Sequence, residues 1–318
     1  MANNKEKKPR IVVIGGGTGA FTVLSGLRKY PLELSAIVSM ADDGGSTGVL
    51  REEFGILPPG DVRRVLVAMA HSNDRMLAEL FNYRFAEGGL RGHTFGNIML
   101  AALSRVTGSF ENAIYEASRI LRVRGTVIPV TLDNVRLCAK LENGAVIQGE
   151  TNIDIPKHDG NLRIKKLWLD PVARLNKKAR EAILAADMIV IGPGDLYTSI
   201  LPNLVVGGMR EVIRKSRAKK VYIANIMTKW GETNGFSAAD FVRGVEDNLG
   251  RGALNYVLIN YKHPSPDRLR QYEKESAEFV VAGDLGKKPI PIAGDFLRRL
   301  GFVRHDPDKL AKVLVSLL

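Results

Sequence analysis

Residues 10–19 read Arg-Ile-Val-Val-Ile-Gly-Gly-Gly-Thr-Gly, a short β-branched run that breaks into glycines. Such a run predicts a buried strand, and the glycines predict a tight turn after it. Beyond the turn, Phe21, Leu24 and Leu27 recur at helical spacing across 18–29. Residues 34–40 are again apolar and end at Asp42-Asp43. Strand, glycine turn, helix and strand open a Rossmann-like α/β fold, a doubly wound and mostly parallel sheet. Gly15, Gly17 and Ala20 fill the three small positions of a dinucleotide loop, and an acid past the second strand would take a ribose hydroxyl. A turn that binds nothing is the competing reading of this stretch alone.

Outward from this unit, helices are predicted over 61–71, 75–85, 96–106 and 111–121. Residues 126–169 change texture: they are rich in β-branched residues, with turn signals at Asp133-Asn134, Glu142-Asn143-Gly144 and Asp159-Gly160-Asn161. Strands over 127–130, 135–141, 146–150 and 162–169 are expected to form a small antiparallel excursion. The α/β alternation then resumes, with helices over 177–186, 205–215, 237–248 and 308–318 and strands over 188–191, 220–226 and 256–260. No repeat or low-complexity linker interrupts it, so residues 10–318 read as a single α/β domain behind a flexible polar tail at 1–9.

Composition excludes several classes. No run of 18 apolar residues exists, which argues against a membrane-inserted helix, and residues 2–10 lack the apolar core of a signal peptide. The single cysteine, Cys138, reads as a small buried hydrophobe in the reducing cytoplasm. A net charge of +12 suits anionic partners. The basic residues are dispersed in short clusters, however, and no RNA-binding signature or paired Cys/His pattern accompanies them. Nucleic acid is therefore set aside in favour of a nucleotide-linked small molecule, and the chain is expected to work as a homo-oligomer. Neither a Walker lysine motif nor a Gly-x-Ser-x-Gly elbow is present.

The chemistry is expected in polar, glycine-bearing turns that follow strands or open helices. Gly16, Gly17, Thr18 and Gly19 would offer backbone amides to phosphate. In Ala41–Gly48, Asp42 and Asp43 would take a sugar hydroxyl or a Mg²⁺ ion, with Gly44 and Ser46 facing the ligand. Asp61 and Arg63 open a helix after Pro58-Pro59-Gly60, where Asp61 is as readily a cap as a reactive group. His93 would act as an acid–base group or phosphate contact, or serve packing alone, while Asn97 would bond a base or sugar. Gly192, Gly194, Thr198 and Ser199 repeat the anion-binding geometry after a second strand, and Asn225 ends a third.

These turns, in this order, resemble the family of 2-phospho-L-lactate transferases (CofD) and YvcK-type gluconeogenesis factors, from Ile11 to the last helix. The marks are Ile14–Gly19, Ala41–Gly48, Pro58–Asp61, Gly92–Asn97, Gly192–Ile200 and Asn225–Thr233, and the Asp42–Gly48 stretch is similar to the YvcK branch in particular. The resemblance implies a Rossmann-like fold that binds a UDP-sugar, with no obligatory cofactor and no established reaction. It further implies a regulatory role in cell morphogenesis and envelope synthesis during gluconeogenic growth. The alternative it carries is a phospholactyl-type transferase using a nucleotide-linked donor, Mg²⁺ and a deazaflavin acceptor. An NAD-binding protein is a third reading, resting on the first glycine loop. Three departures from the family pattern stand out: Arg64 in place of Asn, Asp195 in place of Ser, and Lys229-Trp230 in place of Gln-Pro. A carboxylate at Asp195 opposes phosphate unless Mg²⁺ bridges them, and Arg64 and Lys229 add compensating positive charge.

Overall fold

Among the described residues, ten strands carry the fold: β1 (Arg10–Gly15), β2 (Glu33–Val38), β3 (Thr126–Pro129), β4 (Arg136–Leu141), β5 (Val146–Gln148), β6 (Ile164–Asp170), β7 (Met188–Ile191), β8 (Lys219–Ile223), β9 (Tyr256–Asn260) and β10 (Ile290–Gly294). The computed structural model describes residues 8–71 and 75–318, so residues 1–7 of the expected tail lie outside the described residues. Seven strands form one sheet in the order β10-β9-β8-β7-β1-β2-β3. Every pairing in it is parallel. The chain winds outward from β1 to β3, then restarts at β7 on the other side of β1. Strand order therefore reverses between β1 and β7, and there the loops at the carboxyl ends diverge and open a crevice.

Beyond Arg10 the two strands flanking the reversal are apolar, because helices cover both faces of the sheet. Ile11 to Ile14 and Met188 to Ile191 are buried without alternation. The helix Gly17–Leu27 packs against the helices Pro59–Met69 and Pro307–Ser316, while Met209–Lys215 packs against Lys177–Ala185 and Ala238–Leu249. One hydrophobic cluster runs from Leu24 and Leu66 through the sheet to Tyr222 and Phe241.

The excursion is present, but smaller than expected. β4, β5 and β6 form an antiparallel sheet in the order β5-β4-β6. The run at 127–130 does not join it; β3 pairs parallel with β2, Ser35 opposite Thr126. The helix Phe110–Ile120 supplies the crossover that a parallel strand needs, and a β-branched run by itself does not say which sheet it joins. Cys138 is buried on β4, and burial raises its thiol pKa, in keeping with a packing role.

Other boundaries moved for local reasons. The helix expected over 205–215 begins only at Met209, after Gly207-Gly208, behind the short helix Leu201–Leu204. The strand expected over 146–150 ends at Gln148, and a short helix, Glu150–Asp154, follows. The edge strand β10 was not anticipated. It contains Pro291 and is mostly exposed, so it lacks the alternation of a half-buried strand, and an edge tolerates proline.

Candidate functional site

A cleft of about 660 Å³ opens at the carboxyl ends of β1 and β7, within the usual size of small-molecule sites. Gly16 to Gly19 form its floor. The helix Gly17–Leu27 starts there behind Gly16, which has no side chain to cap it, and carries no acid in its own first turn, so its positive end lies at the cleft. Gly19 lies against the backbone of the second glycine loop, where an added Cβ would overlap the Pro193 carbonyl oxygen. The two loops meet only because residue 19 lacks a side chain. The Gly194 N–H points to Asn225 Oδ1 at 3.4 Å, joining the β8 loop to the same floor. Thr198 and Ser199 reach the cleft from the helical turn Leu196–Ile200. Gly192, with φ +79°, shapes the turn below the cleft surface and does not line it.

The opposite wall is built from Asp42, Gly44, Ser46, Asp61, Arg63 and Asn97. Asp42 Oδ1 accepts the Gly44 N–H at 3.0 Å. The buried guanidinium of Arg51 fixes this loop from behind, donating to Asp42 O at 2.8 Å, Asn134 Oδ1 at 2.8 Å and Val135 O at 2.7 Å. Asp61 is buried; its carboxylate accepts the Gly17 N–H and stands 3.4 Å from Arg64 Nη1. Burial, then the charge of Asp42, pushes its pKa up to about 7. Burial raises Asp42 as well. Arg63 Nε donates to Asn97 Oδ1 at 3.0 Å, and Arg63 also bonds Asn82. Burial and the nearby Arg64 and Arg84 lower its pKa to about 10.

Asn97 proves to be interior to this wall. It is buried, and its Nδ2 donates to Ser46 Oγ at 3.2 Å while its oxygen serves Arg63. One N–H and the oxygen of the amide are thus engaged, so Asn97 positions Ser46 and Arg63 while its second N–H stands at the cleft lining. His93 Nδ1 joins the same chain at 3.1 Å from Ser46 Oγ, and His93 lies behind the cleft, outside its lining.

Asp43 also departs from expectation. Its Oδ2 accepts the Glu150 N–H at 3.1 Å, and its Oδ1 accepts the Thr151 N–H at 2.9 Å and hydroxyl at 2.8 Å. It anchors the start of the helix Glu150–Asp154 and faces a separate cavity of about 400 Å³. Asp42 lines the cleft while both Asp43 oxygens are engaged beside the second cavity, so the two do not form the expected Mg²⁺ pair facing one ligand. Among the described residues, the three carboxylates that converge as metal ligands would are Asp154, Asp195 and Glu232. The Lys229 ammonium already touches all three. Burial alone would lower the lysine's pKa, but Glu232, Asp195 and Asp154 outweigh it and hold Lys229 charged. A Mg²⁺ ion does not fit that arrangement either.

Several cleft residues escaped the sequence reading because their partners are far away along the chain. Glu150 faces the cleft, and burial together with the charges of Asp42 and Asp154 pushes its carboxyl up to about 9. It is a neutral acid, hence a hydrogen-bond donor, at pH 7. At the far end Ile226, Met227, Tyr272 and Val303 give a more apolar wall beside His305. Burial lowers the His305 pKa to about 4, so its ring is neutral. The assembled cleft offers amides and arginines to an anion, carboxylates to hydroxyls, and an apolar wall to a planar group.

Comparison with known proteins agrees with this architecture. The family model of 2-phospho-L-lactate transferase CofD matches residues 11–292. The gluconeogenesis factor of Halalkalibacterium halodurans is 41% identical over 98% of this chain and 97% of its own length. That of Listeria innocua is 42% identical over 99% and 97%. The crystal structure of a UPF0052 family member from Bacillus halodurans superposes with a TM-score of 0.92, at 41% identity, covering 97% of this chain and 99% of that one. With the sheet order, the glycine loops and similarity along nearly the whole length all in agreement, the chain belongs to the CofD family, alongside the gluconeogenesis factors of the YvcK type.

Proposed function

We propose that the cleft binds a UDP-sugar or a closely related nucleotide-linked sugar, and that binding, not turnover, is the protein's task. The observation that carries this reading is the polarity of the cleft. Its floor and one wall present the backbone of Gly16, Thr18 and Gly19 with Arg63, Arg64 and Arg84, a setting for a diphosphate. The facing side presents Asp154, Asp195, Thr151 and a neutral Glu150, a setting for hydroxyl groups. Relatives named gluconeogenesis factors support a role in growth on gluconeogenic carbon, and within it we place cell morphogenesis and envelope synthesis. The protein would act there as a cytoplasmic, homo-oligomeric regulator.

A phospholactyl-type transferase is the second reading, favoured by the family model. The lysine inside the carboxylate cluster weighs against a Mg²⁺-dependent version of it. An NAD-binding protein has only the first glycine loop in its favour. Calorimetry with UDP-N-acetylglucosamine, UDP-glucose, NAD⁺ and GDP separates the three. A UDP-sugar is expected to bind best, and Asp42→Asn, which keeps an acceptor for Gly44, to weaken it about tenfold, some 1.4 kcal/mol. If neither UDP-sugar binds at millimolar concentration, the reading fails. Formation of a deazaflavin product from a nucleotide-linked donor would establish the second.

A further inference from the structure

Lys229 sits in the loop after β8, fixed by its own N–H donating to Thr233 Oγ1 at 2.9 Å. Its ammonium touches Asp154 and lies 3.1 Å from Asp195 Oδ2 and 3.4 Å from Glu232 Oε1. These acids come from three separate places: the end of the helix Glu150–Asp154, the loop after β7, and the loop of Lys229 itself. One oxygen from each lies within 4.8 Å of the other two. That is the spacing of ligands around a single hard cation, since Mg²⁺ and Ca²⁺ hold oxygens at about 2.0–2.6 Å, placing opposite ligands about 4–5 Å apart.

Glu232 makes the need for a cation acute. Its side chain is 0% exposed, and its other contacts are the Tyr197 N–H and the Thr198 hydroxyl, each at 3.1 Å. Burial and Asp195 raise its carboxyl pKa while the Lys229 ammonium opposes them, so its ionised form depends on a positive partner. An ammonium supplies three donors and no acceptor, one donor for each carboxylate.

We propose that Lys229 is a built-in cation, holding the place a divalent metal ion would take in the Asp154–Asp195–Glu232 cage, so that the cleft engages its ligand with no metal ion there. Three carboxylates against one ammonium leave the accessible sides of Asp154 and Asp195 as acceptors. That end of the cleft suits hydroxyl donors and repels phosphate, which is directed toward the glycine turn and the arginines. The proposal goes beyond the nucleotide-sugar reading, and its test uses no nucleotide.

The test is Mn²⁺ binding followed by electron paramagnetic resonance in the full chain, its Lys229→Ala and Asp195→Asn variants and the double variant. The wild type and Asp195→Asn are expected to bind Mn²⁺ alike, because the cage holds none in either. Lys229→Ala is expected to gain one site, binding Mn²⁺ about tenfold or more tighter than the wild type does anywhere, and the double variant to lose it. Loss of a Mn²⁺ ion from the wild type on Asp195→Asn overturns the proposal. So does a folded Lys229→Ala protein that gains no site. Should Lys229→Ala not fold, the wild-type and Asp195→Asn pair still decides the question.

Discussion

The Asp61 carboxylate accepts the backbone N–H of Gly17, so a side chain from the helix Pro59–Met69 already holds part of the helix N-terminus at which a phosphate would bind. The arrangement penalises the ionised acid, since its pKa rises from 3.8 to about 7, through burial first and Asp42 second. A raised carboxyl pKa means that the folded state keeps a proton the unfolded chain has released. The stability this group allows is therefore greatest below pH 4, falls as pH rises to about 7, and stays at its low value above. Asp61→Asn removes the titration. Urea unfolding at pH 5 and pH 8 is expected to show a flatter pH dependence and a gain of about 1–3 kcal/mol at pH 8, after the lost carboxylate contacts to Gly17 and Arg64 are deducted. A variant less stable than wild type at pH 8 contradicts this account.

Arg51 ties the acidic loop to the small sheet through three oxygens: Asp42 O, Asn134 Oδ1 and Val135 O. Arg51→Ala leaves those acceptors without donors in a buried setting, at an expected cost of about 2–4 kcal/mol. Arg51→Lys is expected to recover only part of it, because an ammonium lacks the planar fork that reaches all three. Denaturant midpoints measure the stability, and calorimetry on the folded fraction should show weaker nucleotide-sugar binding, since Asp42 lines the cleft. Full rescue by lysine would show that charge, not the fork, holds the loop.

The first β–α–β unit was legible because its signals are local: a β-branched run, glycines at the turn, and a helical period. Thr18, Asp42, Asp61 and Asn225 also fell in one cleft, since a doubly wound sheet collects its loops at one edge. Asp43 was misread because its partners, Glu150 and Thr151, stand 107 and 108 residues away. No short window contains that pairing. The same holds for Lys229, whose acids lie 75 and 34 residues back at Asp154 and Asp195. Asn97 fell in the expected wall, but its bonds to Ser46 and Arg63 were not legible, because sequence reports an amide's position and not the groups that engage it. The run at 127–130 was assigned to the wrong sheet, since β-branched content marks a strand without naming its neighbour.

Gly19 tests the junction of the two loops. An added methyl meets the backbone carbonyl of Pro193, which cannot swing aside as a flexible side chain would. Gly19→Ala is expected to cost about 2 kcal/mol or more and to lower ligand affinity by parting the loops. Gly89→Ala is the control, since an added Cβ there meets nothing within 4 Å. Thermal melts of both variants check the contrast, and equal melting points would mean that the loops separate without penalty.

Glu150 offers the sharpest pH test. Burial comes first among its causes, followed by the charges of Asp42, Asp154, Asp61 and Asp43, and together they carry the carboxyl from 4.5 to about 9. Between these values the folded protein keeps the proton and the unfolded chain does not, so wild-type stability falls with rising pH across the interval and levels off above it. Gln carries no such titration and retains a donor in the same place. Glu150→Gln is therefore expected to differ little from wild type near pH 4, to exceed it increasingly up to pH 9, and to end about 2 kcal/mol or more ahead. Binding should follow the same group. At pH 7 wild type and variant are expected to bind an anionic nucleotide sugar alike, because each presents a neutral donor. At pH 10 the ionised wild-type acid repels the ligand, and its affinity should fall below that of the variant. Parallel affinities across pH 7–10 would mean that Glu150 does not face the bound anion.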